Sequence, residues 1–422
     1  MHIDLLHFLY LSQVSVVLIS VFILYWLAFS HVSVRTDKRN CHAAAEQPDN
    51  TEHDVSSYNV YYSEDENDDW TFEAKPIDEY RNIYENQFLK FPNLQNADKY
   101  LVYACELTCG GLADRLKGIF QVYMLSIIAK RKFGIYWNNS CELQVALEPN
   151  LLDWRFDFAK AKESQLSMKS LSYRSAYQPL KYKYETEDLD PMTVFKEDVI
   201  LLHSNQDWTT TFRRLSVTAE RFREIYQHSS SDLSRIIFHG LFKYSTTLQV
   251  SVDDFFNTHV GNNKLACFHA RMGDYNETAR YQMSDLDTVF DFLQTFITSR
   301  NYKIMVASDK QEVKQKARDR FPGDFVDTSG PIIHIDQDRQ GQECTGFIRA
   351  FLDLTVLSRC DTLVLTNSGF GMMAATLRST SRDLYSFFRT HGVFPVSREN
   401  SKKMYQYRCT GSDPAHLDIC PP

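Results

Sequence analysis

From Lys264 onwards, short apolar runs alternate regularly with stretches whose apolar residues recur at helical spacing. Strands are predicted at Lys264–Ala270, Lys303–Ala307, Pro331–Ile335, Thr362–Thr366 and Leu384–Phe387. Helices are predicted between them, at Leu286–Thr298, Lys310–Arg320, Glu343–Leu357 and Gly371–Leu377. Strands separated by helical patterns of this length imply a parallel sheet covered on both faces. An earlier unit has the same form. "KYLVYACEL" (Lys99–Leu107) reads as a buried strand, "TCGGLADR" breaks it, Leu116–Lys132 has helical spacing, and "FGIYW" (Phe133–Trp137) is the next strand. The stretch from about 140 to 250 is less regular. Its best strand is Asp198–Asn205, and the runs "FREIYQ" and "IIFHGLF" read as helical.

The N-terminus breaks this pattern. Leu5–Phe29 carries no Asp, Glu, Lys or Arg. As a helix its ~25 residues would rise roughly 37 Å, enough to cross a hydrocarbon layer of ~30 Å. Bulky Tyr25-Trp26-Leu27 stands where a cleavable leader would place small residues, so an uncleaved anchor is expected. Residues 30–95, with "SEDENDDW" and few aliphatics, read as a solvated stem. Arg35, Lys38 and Arg39 after the span favour a cytosolic body. The sequons at Asn138 and Asn276, and nine cysteines without a CxxC pair, favour a lumenal body with disulfides, which is the reading adopted. Cys41 could bridge two chains into a homodimer, and Cys409 and Cys420 could close a loop in the tail. The chain has 422 residues and a net charge of −8, with no basic run to hold a phosphate backbone, which argues against a nucleic-acid partner.

Candidate chemistry collects where a parallel sheet binds ligands, beyond the carboxyl ends of its strands. The first strand of the later half ends in His269-Ala-Arg271-Met-Gly-Asp274, the second in Ser308-Asp309, the third in His334 and Asp336, and the fourth in Thr366-Asn-Ser368-Gly369. Each has a plain structural reading. Asp309, or the run Thr366-Asn-Ser368, could cap the helix that follows, and Arg349 lies four residues before Asp353, a helical ion-pair spacing. Four polar ends on one side favour a site instead. A diphosphate suits the guanidinium fork of Arg271 and the glycine-flanked helix start at Ser368. A carboxylate at Asp309 suits ribose hydroxyls. Asp353 could accept from the paired N–H donors of a purine. "DLD" (Asp285–Asp287) matches a metal motif by letter but stands at a helix start and is read as a cap.

The stretch His269-Ala-Arg271-Met-Gly273-Asp274-Tyr275 resembles the HxRxGDY motif of inverting, GDP-fucose-dependent fucosyltransferases of GT-B fold. Asp353–Leu377 resembles their second signature, and Gly110–Trp137 is similar to their glycine-rich first turn and helix. The resemblance spans about 100 to 390. It implies an α/β fold with two Rossmann-like domains facing a cleft: 96–250 on the acceptor side and 251–400 binding the GDP-sugar. Residues 1–4, the anchor at 5–29 and the stem would precede them, with a Cys-containing tail at 401–422. It also implies that His269 and Asp353 contact guanine, Asp309 the ribose, Arg271 and Ser368 the β-phosphate, and Gly110 and Gly111 the pyrophosphate. Gly369 and Arg115 complete the expected substrate-contacting set.

The implied reaction moves L-fucose to a glycan hydroxyl with inversion and without a metal or cofactor, GDP-fucose being the donor substrate. Asp274 and Glu277 are the candidate bases, and a glycan on Asn276 would crowd them. Met272, Met372 and Met373, and Tyr275 and Ala279 depart from the pattern of individual linkage classes; the Asn367-Ser368 helix start favours α1,2. Anchor, stem and lumenal body fit a single-pass type II Golgi membrane protein. The rivals are a Golgi sulfotransferase, for which "CGGLADRLK" is a poor phosphate loop, and an inactive sugar-nucleotide-binding or lectin-like protein.

Overall fold

The computed structural model describes residues 77–88, 98–106, 109–137, 141–172, 196–205, 222–273, 281–299, 301–335, 343–389 and 391–401. The expected anchor, the tail beyond Ser401 and most of the expected stem lie outside them, as do Asp274, Glu277, Asp336, Cys41, Cys409, Cys420 and both sequon asparagines. The last part of the expected stem is not a solvated spacer: Ile77–Ile83 is helical, and Tyr80, Tyr84 and Phe88 are buried in the core.

In chain order the first half contains α1 (Ile77–Ile83), β1 (Tyr100–Cys105), α2 (Leu112–Ile128), β2 (Lys132–Trp137), β3 (Leu147–Pro149), α3 (Phe158–Glu163), β4 (Met168–Ser172), β5 (Val199–His203), α4 (Ser230–Leu241), β6 (Phe242–Tyr244) and α5 (Thr246–Asp254). Strands β2-β1-β5-β4 form a four-stranded parallel sheet, and β3 pairs antiparallel with β6. The second half contains β7 (Lys264–Ala270), α6 (Asp287–Ser299), β8 (Tyr302–Ser308), α7 (Gln311–Arg320), β9 (Phe325–Val326), α8 (Glu343–Arg359), β10 (Thr362–Leu365), α9 (Gly369–Leu377), β11 (Leu384–Phe388) and β12 (Gly392–Pro395). Its six-stranded sheet runs β12-β11-β10-β7-β8-β9 and is parallel except for β12. The chain builds outward from β7 through β8 to β9, then returns to β10 on the other side of β7. That reversal is a topological switch point, and it opens a crevice beyond the ends of β7 and β10.

Sequence pattern accounts for these elements. In β7 every residue after Lys264 is buried, as expected for a strand covered on both faces. Helices α4 and α5 start where Ser229 and Ser245 accept from the backbone N–H of Asp232 and Leu248. One core cluster runs through both halves, from Leu101 and Leu116 to Leu265, Met373 and Leu377. Disulfides join Cys105 to Cys109, Cys141 to Cys344 and Cys267 to Cys360. The second of these ties the segment after β2 to the start of α8.

Two further expectations need correction. Residues 331–335 are not a strand; the position beside β8 belongs to β9. Pro331 has no N–H to give to a ladder, and Gly330 before it takes φ 101°, which turns the chain away from the sheet. Helix α2 begins at Leu112 rather than Leu116, so the glycine pair lies directly at its start.

Candidate functional site

A cavity of about 370 Å³ lies beyond the ends of β7, β8 and β10, within the range of roughly 300–1,000 Å³ usual for small-molecule sites. Of the expected site residues described in the structure, Gly110, Gly111, His269, Arg271, Asp309, Asp353, Ser368 and Gly369 all line it. Arg115 does not. Residues that sequence reasoning gave no binding role also line it, among them Asp114, Ile333, Arg349 and Phe370, together with His334.

The end of β7 is held by its neighbour β10. The Thr366 hydroxyl accepts from the Arg271 backbone N–H at 2.8 Å and donates to the His269 carbonyl at 3.1 Å. Thr366 is therefore a tie between strand ends and not a helix cap. The His269 ring stacks on Phe370 with centroids 5.3 Å apart. Gly371 permits this approach: a Cβ there would stand 2.8 Å from His269 Nδ1.

Asp309 does not cap the helix after it. Its carboxylate reaches back to accept from the N–H of Met272 at 2.8 Å and of Gly273 at 3.2 Å, and it pairs with Arg271 Nη1 at 3.1 Å. Both carboxylate oxygens are thus engaged in fixing the turn that carries Arg271. The Arg271 and Asp309 side chains remain 19% and 17% exposed, so the pair stands at the cavity wall rather than in the core.

Ser368 is the N-cap of α9, and its hydroxyl accepts from the Phe370 N–H at 3.3 Å. Backbone N–H groups at a helix start carry partial positive charge and suit an anion. Arg271 and Ser368 thus line one cavity from adjacent strands, β7 and β10.

Across the cavity stands the start of α2. Gly110 takes φ 81°, a conformation other residues adopt only with strain, and a Cβ there would meet the Asp114 Cβ at 2.9 Å. Arg115 acts behind this turn. Its side chain is fully buried, Nε donates to the Gly110 carbonyl at 2.9 Å, Nη2 donates to the Ile335 carbonyl at 3.5 Å, and the guanidinium lies 4.8 Å from the Trp137 ring. It links the glycine turn of the first half to the 331–335 segment of the second. The expectation that Arg115 itself contacts substrate is replaced by this supporting position.

Asp353, on α8, is a largely buried carboxylate in the cavity wall, its side chain 13% exposed. It accepts from the Thr328 hydroxyl, and its Oδ2 lies 3.8 Å from Arg349 Nε. Burial pushes the carboxyl up from its ordinary range, against the pull of Lys314, Arg349 and the Thr328 hydrogen bond. Asp285 accepts from the Gln282 N–H at 2.6 Å and pairs with Arg389, while Asp287 pairs with Lys316; the Asp285 bond runs back into the turn before α6 and not forward into the helix as a cap would.

The arrangement combines a guanidinium fork, a helix start and a buried acceptor around one cavity. It suits a phosphate-bearing ligand with N–H donors at its other end.

No protein-family model matches the chain, and no curated protein sequence matches it. Solved structures do. A mutant of Arabidopsis thaliana FUT1 in complex with GDP superposes with TM-score 0.52 at 11% identity, covering 78% of this chain and 82% of that one. Fucosyltransferase NodZ from Bradyrhizobium superposes with TM-score 0.48 at 13% identity, covering 71% of this chain and 99% of that one. The chain therefore shares the two-sheet α/β fold of the plant structure, and at this identity the fold is what the likeness establishes.

Proposed function

We propose that the protein is a glycosyltransferase that moves L-fucose from GDP-fucose to a hydroxyl of a glycan acceptor, with inversion and without a metal. The observation that carries this reading is that Arg271 and the α9 start at Ser368 line one cavity, with the Asp353 carboxylate in the same wall. It is supported by the fold shared with a structure whose ligand is GDP. The acceptor oxygen attacks the anomeric carbon as the carbon–oxygen bond to the diphosphate breaks, and GDP departs with the bonding electron pair. Charge builds on the β-phosphate as it leaves. A fixed guanidinium and oriented N–H groups stabilise that charge without having to reorganise. Asp309 contributes by holding Arg271 in place, and His269 and Asp353 take the base. The acceptor proton passes to a carboxylate, with Asp274 and Glu277 after β7 as the candidates. The Asn367-Ser368 helix start favours an α1,2 linkage. The uncharged Leu5–Phe29 run and the three disulfides support a type II Golgi membrane protein with a lumenal body.

The test is transfer from labelled GDP-fucose to a panel of galactose- and GlcNAc-terminated glycans, with and without a chelator. The anomeric configuration of the product is read by NMR. Transfer with inverted configuration and no chelator effect is expected. Binding of GDP without transfer to any acceptor would leave a sugar-nucleotide-binding protein, and sulfate transfer would leave the sulfotransferase.

A further inference from the structure

From Asp353 a cluster of charges extends behind the cavity wall, and the proposed chemistry uses none of its other members. Lys314, on α7, has a side chain with 0% exposure, and its Nζ sits 2.6 Å from Asp327 Oδ1. Arg349 Nη2 approaches the same oxygen at 3.3 Å, and Arg318 Nη2 lies 3.7 Å from Asp327 Oδ2. Arg349 also donates to the Gly330 carbonyl and lies beside Asp353, whose other oxygen takes the Thr328 hydroxyl. Three cations (Lys314 and Arg318 on α7, Arg349 on α8) thus face two carboxylates, Asp327 and Asp353. Of the five, Arg349 and Asp353 line the cavity, as does His334.

A fully buried lysine is costly unless its charge has a purpose or a close partner. Helix α7 could have kept its packing with an apolar residue at position 314. An acceptor for two N–H donors must be ionised, because a protonated carboxyl presents a donor of its own. Burial alone would favour the protonated form, and the nearby positive charge opposes it.

We propose that Lys314 is a positioning residue for base recognition: through Asp327 and Arg349 it holds Asp353 as an ionised acceptor for the paired N–H donors of a guanine nucleotide. This rests on the nucleotide-binding reading of the cavity given above. Lys314 touches no substrate; it acts on the charge and pose of Asp353.

The experiment is calorimetric binding of GDP and of inosine diphosphate, which lacks the exocyclic amino group, to the full chain in detergent at about pH 6.5 and about pH 8.5. In Lys314→Met the removed cation lets Asp353 protonate at the lower pH, so GDP affinity falls about tenfold or more there and most of the loss is recovered at the higher pH. The preference for GDP over inosine diphosphate falls with it at the lower pH, whereas the wild type keeps its preference at both. Lys314→Arg keeps the charge and the wild-type profile, and Asp353→Asn loses affinity equally at both pH values. Wild-type binding and selectivity in Lys314→Met would overturn the proposal, and so would a loss that is equal at both pH values with the base preference unchanged. Should Lys314→Met fail to fold, Lys314→Gln, which keeps a hydrogen-bond donor for Asp327 and loses the charge, is read by the same titrations against the same outcomes. A wild type that binds neither nucleotide overturns the nucleotide reading itself, an outcome distinct from any difference between variant and wild type.

Discussion

The two parallel sheets contribute to the cavity in different currencies. The β7–β12 sheet gives side chains: His269 and Arg271 from β7, Asp309 from β8, Ser368 after β10 and Asp353 from α8. The β1–β5 sheet gives mainly backbone, through the Gly110-Gly111 turn and the start of α2, where Asp114 is paired with Lys117 and Arg115 is buried behind the turn. Fixed side chains discriminate between ligands by charge and hydrogen bonding, whereas a glycine turn admits close approach. The difference assigns recognition to the second half and leaves shaping to the first.

The largest expected effect breaks the comparison on the second side. Arg271→Ala should lower kcat/KM for fucosyl transfer by roughly 10³–10⁴-fold, about 4–5.5 kcal/mol of transition-state stabilisation. Unfolding should hardly change, since the Asp309 carboxylate keeps the Met272 and Gly273 N–H groups when its cation is removed. Arg271→Lys should be nearly as damaging, because an ammonium cannot reproduce the fork. Near-normal transfer by either variant would remove Arg271 from the chemistry.

The legibility of the sequence followed the same division. Strands β7, β8, β10 and β11 and helices α6 to α9 fall within two residues of the positions read from periodicity. The strands are apolar runs covered on both faces and the helices bury one face against the sheets, so burial writes itself into the sequence. In the first half β3 and β6 have three residues each, and β4 is an edge strand with Lys169 and Ser170 exposed. Elements that short or that open leave little apolar pattern to detect. The site residues were legible because they sit at strand ends. Their partners were not. The return of Asp309 to the Met272 and Gly273 N–H groups, 37 and 36 residues back along the chain, is set by strand pairing. Lys314 sits in "QEVKQKARDR", where charge at every other position reads as a solvated face, yet it is fully buried.

A smaller effect tests the tie between the halves. Cys141–Cys344 closes 203 residues, and Cys105–Cys109 closes four. In the chain-entropy account the long bridge is worth about 5 kcal/mol and the short one about 2 kcal/mol. The Cys141→Ser/Cys344→Ser pair should therefore lower the urea midpoint more than Cys105→Ser/Cys109→Ser. Because Gly346 and Arg349 line the cavity within two turns of Cys344, nucleotide affinity should also fall in the first pair. Equal midpoints would mean that the shared core, and not the bridge, holds the halves together.

The smallest effect sharpens the first side, where stability and not recognition is at stake. His239, near the end of α4, packs its ring edge-on against Phe238, with centroids 5.4 Å apart. Burial, together with the Arg235 and Arg359 cations, lowers its pKa to about 3. An unfolded histidine titrates near 6.5, so between about pH 3 and 6.5 the unfolded chain takes up a proton that the folded one refuses. Stability from this group is complete above about pH 6.5 and is lost as pH falls, by about 2 kcal/mol at pH 5. His239→Gln removes the titration. Urea unfolding at pH 7.5 and pH 5 should then show a smaller acid loss in the variant than in the wild type, by about that amount. Equal losses would mean that the ring accepts its proton in the folded state. Transfer activity at pH 7.5 should not change in the variant, because His239 is not among the residues lining the cavity.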